Sequence, residues 1–248
     1  MRIKCMVLCL LIIMNIAVMN VGATNEQTVD FSQYINSEGV AEIPEFINGV
    51  AVTELPVKAF YGNANLKKVV LPQSITKINN YTFYKCTNLK EVVFSDNITY
   101  IGVNAFANCT ALETLKMPLK LYSVAEFAFM GCKQLKSVVF SDEIHSIGFA
   151  AFSNCCTLTE INLGNNLSNI AASAFAGCSA LETVVIPQNV IRINEDTFSN
   201  CANLKQIILR SEITTVSSRA YRNSPNVQLK VEILVPEVTV EPLFGQAA

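Results

Sequence analysis

The chain has 248 residues, of which 51% are hydrophobic and 15% are charged. This composition supplies enough apolar residues to bury a large core, and it lies far from that of disordered chains. The formal net charge is -2, from 18 basic and 20 acidic residues. Because no basic excess is available to neutralise phosphates, we do not expect a nucleic-acid partner.

Residues 1–23 have the features of a secretory signal peptide. Arg2 and Lys4 give a positive start, and an apolar run from Cys5 to Met14 follows. Residues 21–23 suit a signal peptidase, so cleavage is predicted after Ala23. The run is shorter than the roughly 20 apolar residues that span a bilayer. We therefore expect no membrane span in the mature chain, with an uncleaved anchor as the alternative.

Residues 24–58 are expected to form an N-terminal cap with a degenerate first repeat. The segment 40–44 resembles a strand followed by its proline, Pro44. From Pro44 to Phe60 the chain is five residues longer than the equivalent stretch of the next repeat. The Ile47-Asn48-Gly49 turn is the predicted place of this insertion.

Residues 59–231 contain tandem repeats with a constant period of twenty-three positions. An aromatic residue recurs at this interval in eight copies, at Phe60, Phe83, Phe106, Phe129, Phe152, Phe175, Phe198 and Tyr221. Three residues after six of them comes a cysteine, at Cys86, Cys109, Cys132, Cys155, Cys178 and Cys201. Several columns at one fixed period predict a solenoid of stacked units.

Within one repeat, Leu89-x-x-Val92-x-Phe94 has the L-x-x-L-x-L spacing of a leucine-rich repeat. Val92 and Phe94 are predicted to point inward on a short strand, with Glu91 and Val93 pointing outward. One coil alone cannot offset its ordering entropy, so stacking must stabilise the fold. We therefore expect an α/β-type repeat solenoid with one parallel β-sheet face and little regular helix.

Two segments, ITYIGVNAFANCTAL (98–112) and IHSIGFAAFSNC (144–155), resemble BspA-type leucine-rich repeats. The resemblance covers about residues 40–231. That family occurs in secreted and surface proteins of bacteria and some protozoa, and it is associated with adhesion to host proteins and other cells. The resemblance therefore implies a secreted or cell-surface protein whose partners are extracellular or cell-surface proteins. The tail, residues 232–248, holds no repeat, and whether it is a cap, a linker or an anchor stays open.

The outward positions of the strands form the candidate protein-binding face. Its central column contains five apolar residues, and the column two residues earlier contributes two acidic ones: Val70, Val93, Val139, Val185 and Ile208, with Glu91 and Glu160. Exposed apolar rows often mark interaction sites, and solenoids commonly bind partners on this face. The alternative is that β-branched residues simply suit a strand.

The cysteines are not expected to carry chemistry. Side chains in equivalent positions run parallel at the coil spacing, at least about 4.7 Å, which is too far for a disulfide. We interpret the six recurring cysteines as small buried hydrophobes, and no histidine or acidic column accompanies them to bind a metal. Cys156 lies in a mostly polar column and is either an exposed thiol or a half-buried cysteine.

No pattern predicts an enzyme or a cofactor. His145, the single histidine, lies in a variable column with no recurring nucleophile or acid beside it. The favoured function is protein–protein binding or adhesion through the sheet face. The alternatives are a self-associating structural protein or spacer and an enzyme carried on a repeat scaffold; the sequence leaves the oligomeric state open.

Overall fold

The computed structural model describes residues 29–211 and 215–232. The predicted signal peptide and nearly all of the predicted tail lie outside the described residues. Within them the chain winds into stacked coils, because residues one period apart are neighbours in space, as Val69 and Val92 are. Strands are numbered below in chain order.

The first coil is closed by a short N-terminal cap. A 3-10 helix spans Phe31–Tyr34, and the Asp30 side chain accepts a hydrogen bond from the Ser32 amide at 2.9 Å. Phe31 is buried against Phe60, with ring centroids 6.3 Å apart. This aromatic contact covers the end of the core that would otherwise face water.

An antiparallel hairpin interrupts the first repeat after strand β1 (Val40–Glu42). It consists of β2 (Phe46–Ile47) and β3 (Val50–Ala51), joined by Asn48 and Gly49 at φ 52° and 79°. A two-residue hairpin turn of this kind needs positive φ at both positions. Val40 pairs with Lys68, five positions beyond one full period, so the insertion lies in this hairpin as the sequence predicts.

The longer strands form one parallel face of the solenoid. After β1 they are β4 (Lys68–Val70), β6 (Glu91–Val93), β8 (Thr114–Lys116), β10 (Ser137–Val139), β12 (Glu160–Asn162), β14 (Thr183–Ile186), β16 (Gln206–Leu209) and β18 (Gln228–Val231). They pair in three groups of three, and neighbouring groups lie side by side. In the strands before β18, the alternation of inward and outward side chains gives each strand one core face.

A second strip of two-residue strands runs along another side of the coil. These strands are β5 (Lys77–Ile78), β7 (Tyr100–Ile101), β9 (Ser123–Val124), β11 (Ser146–Ile147), β13 (Asn169–Ile170), β15 (Arg192–Ile193) and β17 (Thr215–Val216). All pairings within the strip are parallel. The predicted repeat solenoid with a parallel sheet face and little helix is confirmed, and this second strip adds to it.

The repeating phenylalanines form a continuous stack through the core. Consecutive rings from Phe60 to Phe198 lie 4.9–5.6 Å apart with interplanar angles of 1–13°, and all are buried. This spacing is close to the separation of about 4.7–4.9 Å between neighbouring strands. One ring per coil therefore fills the interior without distorting the sheet.

The last described strand leaves its inner side uncovered. In β18 Leu229 pairs with Ile207, so this last interval is one position shorter than the period of the repeats before it. Ile207 is fully buried, whereas Leu229 and Val231 are 42% and 55% exposed. Within the described residues no further coil packs against them.

Candidate protein-binding surface

The outward side chains of the longer strands align in columns, because each paired strand meets its neighbours in register. The structure places all seven residues named from the sequence in two such columns: Val70, Val93, Val139, Val185 and Ile208 in the central column, Glu91 and Glu160 in the column two residues earlier. The two columns together are called the sheet face below.

The apolar residues of the sheet face differ in exposure. Val93, Val139 and Val185 are 38%, 46% and 38% exposed. Val70 and Ile208 are half-buried, so they offer less area to a partner. The three central valines are therefore the most exposed apolar residues of the sheet face.

Polar residues divide the apolar column into separate spots. Val139 lies between Lys116 and Asn162, both exposed. Strand pairing is also interrupted between Val93 and Lys116, and between Asn162 and Val185, where the three strand groups meet. The apolar row is therefore interrupted, with valine spots separated by side chains that can form hydrogen bonds.

The two acidic residues that the sequence singled out on the sheet face have different environments. Glu91 forms an ion pair with Lys68 at 2.8 Å, on the neighbouring rung. Glu160 lies beside Ser137 and takes part in no ion pair within residues 29–211 and 215–232. Of these two carboxylates, Glu160 is therefore the one without a neighbouring cation among the described residues.

A family model described as "BspA type Leucine rich repeat region" matches residues 38–126 and 104–228, in six copies. The chain belongs to the BspA-type leucine-rich repeat family. No curated protein matches the chain in sequence.

Several solved structures of leucine-rich repeat proteins are similar to this protein along most of its length. The T. pallidum leucine-rich repeat protein TpLRR is 28% identical, with a TM-score of 0.54, over 72% of each chain. A Bacteroides ovatus leucine-rich repeat protein is 19% identical, with a TM-score of 0.60, over 78% of this chain and 63% of that one. A Eubacterium ventriosum leucine-rich repeat protein is 22% identical, with a TM-score of 0.63, over 77% and 50%. The last two show the shared fold only, and this chain spans only part of each relative.

The recurring cysteines of this BspA-type repeat lie in the core as free thiols. Burial raises the pKa of Cys86 and Cys201 to about 12, and it raises the pKa of the four between them well above the ordinary value of a thiol. A thiol held neutral is neither a nucleophile nor a metal ligand at neutral pH. Their position in the core supports the structural role that the sequence predicts.

Two side chains singled out from the sequence lie at the surface. Cys156 is half-buried, with its Sγ 4.0 Å from the Lys133 carbonyl oxygen. His145 stacks on Tyr122 of the preceding coil, with ring centroids 4.4 Å apart, and its Nδ1 lies 2.8 Å from the Glu143 carbonyl oxygen. The stacking holds the imidazole against the second strip, and the ring's hydrogen-bond partner among the described residues is that carbonyl.

A cluster that the repeat pattern did not predict lies on the turn side of the first coils, outside both strips of strands. Lys58, Tyr61, Tyr81, Tyr84 and Lys85 lie together there and are called the tyrosine–lysine patch below. Tyr61 and Tyr84 are one period apart, so two tyrosines in one column were the available signal.

No group of three or more His, Cys, Asp or Glu side chains able to hold a metal ion occurs in the described ranges. No helix within the same ranges has the length and apolar character needed to cross a membrane.

Proposed function

We propose that this protein is a secreted or cell-surface member of the BspA-type family that binds another protein, in an adhesive role, through its sheet face. The observation that carries the proposal is the row of exposed valines Val93, Val139 and Val185, one on each of three parallel strand groups that lie side by side. The predicted signal peptide and the family's occurrence at cell surfaces support the location.

The spacing of the valines suits an extended contact. Each valine is two coils from the next, about 10 Å at the usual strand separation. A partner that reaches all three must also cover Lys116 and Asn162 between them. Apolar spots separated by polar side chains are the usual composition of a protein–protein interface, because the polar groups fix the register of the two surfaces.

The rigidity of the face adds to this argument. Every valine of the row belongs to a strand whose inward neighbour is buried, at Val92, Val138 and Val184. Side chains fixed by the sheet lose little conformational freedom on binding, so more of the contact energy appears as affinity.

The test is a binding screen of residues 24–248 against extracellular-matrix and cell-surface proteins. The variant Val93→Ser/Val139→Ser/Val185→Ser should lose binding while its circular dichroism stays unchanged. A matched control removes three exposed apolar side chains elsewhere, Leu119→Ser/Phe149→Ser/Ile191→Ser, and should keep binding. A folded sheet-face variant that binds as well as the parent would contradict the proposal.

A second candidate function is self-association, which the open end of β18 favours. Leu229 and Val231 are exposed there, beside a strand edge with no partner in the described part of the chain. Such an edge can pair with another chain. Light scattering over a range of concentrations separates the two functions, because a mass that grows with concentration supports self-association.

A further inference from the structure

The tyrosine–lysine patch is built from stacked aromatic rings with two ammonium groups over them. Tyr61 stacks on Tyr84 with centroids 5.0 Å apart, and Tyr81 meets Tyr84 edge-on at 5.6 Å. The Nζ of Lys58 lies 5.7 Å from the Tyr61 ring centre, and the Nζ of Lys85 lies 5.3 Å from that of Tyr84. These contacts place both cations on one continuous aromatic surface.

Neither lysine of the patch is neutralised by a carboxylate. Across the described parts of the chain, no ion pair involves Lys58 or Lys85, and both are exposed. The far end of the same side of the solenoid is different. There Arg219 and Arg222, in the columns of Lys58 and Tyr61, meet Asp196 at 2.8 and 3.2 Å. Unlike the far end, the patch therefore carries positive charge that no carboxylate of the described residues neutralises.

The backbone at Lys85 gives a further reason to regard the patch as functional. Lys85 has φ 58°, a left-handed conformation that β-carbon sterics disfavour. In the other repeats this position is always glycine or asparagine: Gly62, Asn108, Gly131, Asn154, Gly177, Asn200 and Asn223. The fold favours glycine or asparagine at this position, so a lysine here indicates that its side chain has a function other than stabilising the fold.

The groups that the patch offers define its ligand. Ammonium groups and tyrosine hydroxyls donate hydrogen bonds, so their natural partners are carboxylates. Tyr61 and Tyr84 cover part of each other's ring faces, which leaves less face for a sugar to stack on. Two lysines are also few for a sulfated polymer, whose binding grows with the number of charges neutralised.

We propose that the tyrosine–lysine patch binds an acidic peptide segment of a partner protein. Lys58 and Lys85 pair with carboxylates of the segment, and the exposed Tyr61 packs against its side chains. Tyrosine suits this role because it adds apolar area and a donor at low conformational cost. The patch lies on the turn side of the coil, so this contact is separate from the sheet face and goes beyond the function proposed above.

The test is fluorescence anisotropy at low salt with a labelled peptide of alternating Glu and Leu. The peptide should bind the parent protein, and the same peptide with Gln in place of Glu should not. The variant Lys58→Glu/Lys85→Glu should bind roughly tenfold more weakly, because like charges now face each other. Lys58→Gln/Lys85→Gln removes the charges without reversing them and should also weaken binding.

The matched control is Lys120→Glu/Lys133→Glu, which makes the same change in net charge on exposed residues of later coils. It should bind the peptide as the parent does. If both Glu variants lost peptide binding equally, overall charge would explain the effect and the proposal would be overturned. Equal binding of the Glu and Gln peptides would overturn it too. The proposal would also be overturned if a heparin oligosaccharide bound more tightly than the peptide and Lys58→Glu/Lys85→Glu abolished that binding. The ligand would then be an acidic glycan.

Discussion

The hydroxyl of Ser224 donates a 2.9 Å hydrogen bond to the backbone carbonyl of Phe198, in the preceding coil. The thiol of each recurring cysteine donates the equivalent bond, at 2.9–3.3 Å. The first runs from Cys86 to the Phe60 carbonyl and the last from Cys201 to the Phe175 carbonyl. The column is therefore a ladder of buried donors that connects one coil to the next. Ser224 replaces cysteine at the end of the ladder without losing its bond.

This ladder predicts that Cys155→Ser retains more stability than Cys155→Ala. Serine keeps a donor for the Phe129 carbonyl, 3.3 Å from the native thiol, whereas alanine removes it. The alanine variant should be less stable than the serine variant by about 1 kcal/mol, the usual worth of one buried hydrogen bond. Urea midpoints measure the difference. The half-buried Cys156, whose thiol lies 4.0 Å from the Lys133 carbonyl oxygen, provides a control, since its two variants should differ less.

The repeat predicts much of this architecture, because its constant period assigns every position to a column. Val92 inward and Val93 outward follow from alternation along a strand, and both assignments agree with the structure. The thiol donors do not follow, since the acceptor of Cys155 is the carbonyl of Phe129, in the preceding coil. The interpretation of the column as small buried residues was right about burial and missed the hydrogen bond.

Two other features lie beyond the pattern for physical reasons. The strands of the second strip, such as Lys77–Ile78, are two residues long, too short to show an alternation of period two. The contact of Tyr81 with Tyr84 depends on left-handed backbone at Tyr81, at φ 59°, for which tyrosine is not a typical residue. For the sheet face, the sequence predicts which residues point outward and places Lys116 and Asn162 among the valines. The interruptions in strand pairing and the lower exposure of Val70 and Ile208 follow only from the structure.

The cysteine ladder also predicts a loss of stability in alkali. The raised pKa of the buried thiols means that the folded state keeps protons that the unfolded chain releases above about pH 9. The free energy of unfolding should therefore fall as pH rises from about 9 to about 12, the window given by Cys86 and Cys201. Below pH 9 these thiols should contribute no pH dependence.

The measurement compares urea midpoints at pH 8 and pH 10.5 for the parent and for Cys86→Ser/Cys201→Ser. Serine does not titrate in this range, so the variant should lose less stability between the two pH values. The other ionisable groups are the same in both proteins, so their contributions cancel in the comparison. An identical loss in parent and variant would show that the thiols are not the cause.

Gly164 should tolerate substitution less well than Gly49. Both have positive φ, 65° and 79°, so alanine at either site should cost about 1 kcal/mol in backbone strain. A methyl group at Gly49 meets no atom within 4 Å, whereas at Gly164 it clashes with the Ser141 carbonyl oxygen and lies 3.0 Å from Ile144 Cγ2. Gly164→Ala should therefore cost about 1–3 kcal/mol more than Gly49→Ala, measured by urea unfolding. Equal costs would mean that the chain relaxes around residue 164 without penalty.

Lys85→Asn should separate stability from binding. Asparagine tolerates the left-handed backbone better than lysine, and it already occupies this position in Asn108, Asn154, Asn200 and Asn223. The variant should gain about 0.5–1 kcal/mol in unfolding free energy. It also loses the ammonium over Tyr84, so it should bind the acidic peptide more weakly.

The control for this substitution is Asn108→Lys, which places a lysine in the same left-handed position one coil later, at φ 61°. It should lose stability by a similar amount and leave peptide binding unchanged, because Ala107, and not a tyrosine, precedes it in the chain. Opposite signs for stability and binding in Lys85→Asn would show that the lysine is kept at a cost to the fold. A variant that is more stable and still binds the peptide fully would leave Lys58 as the sole cation of the patch.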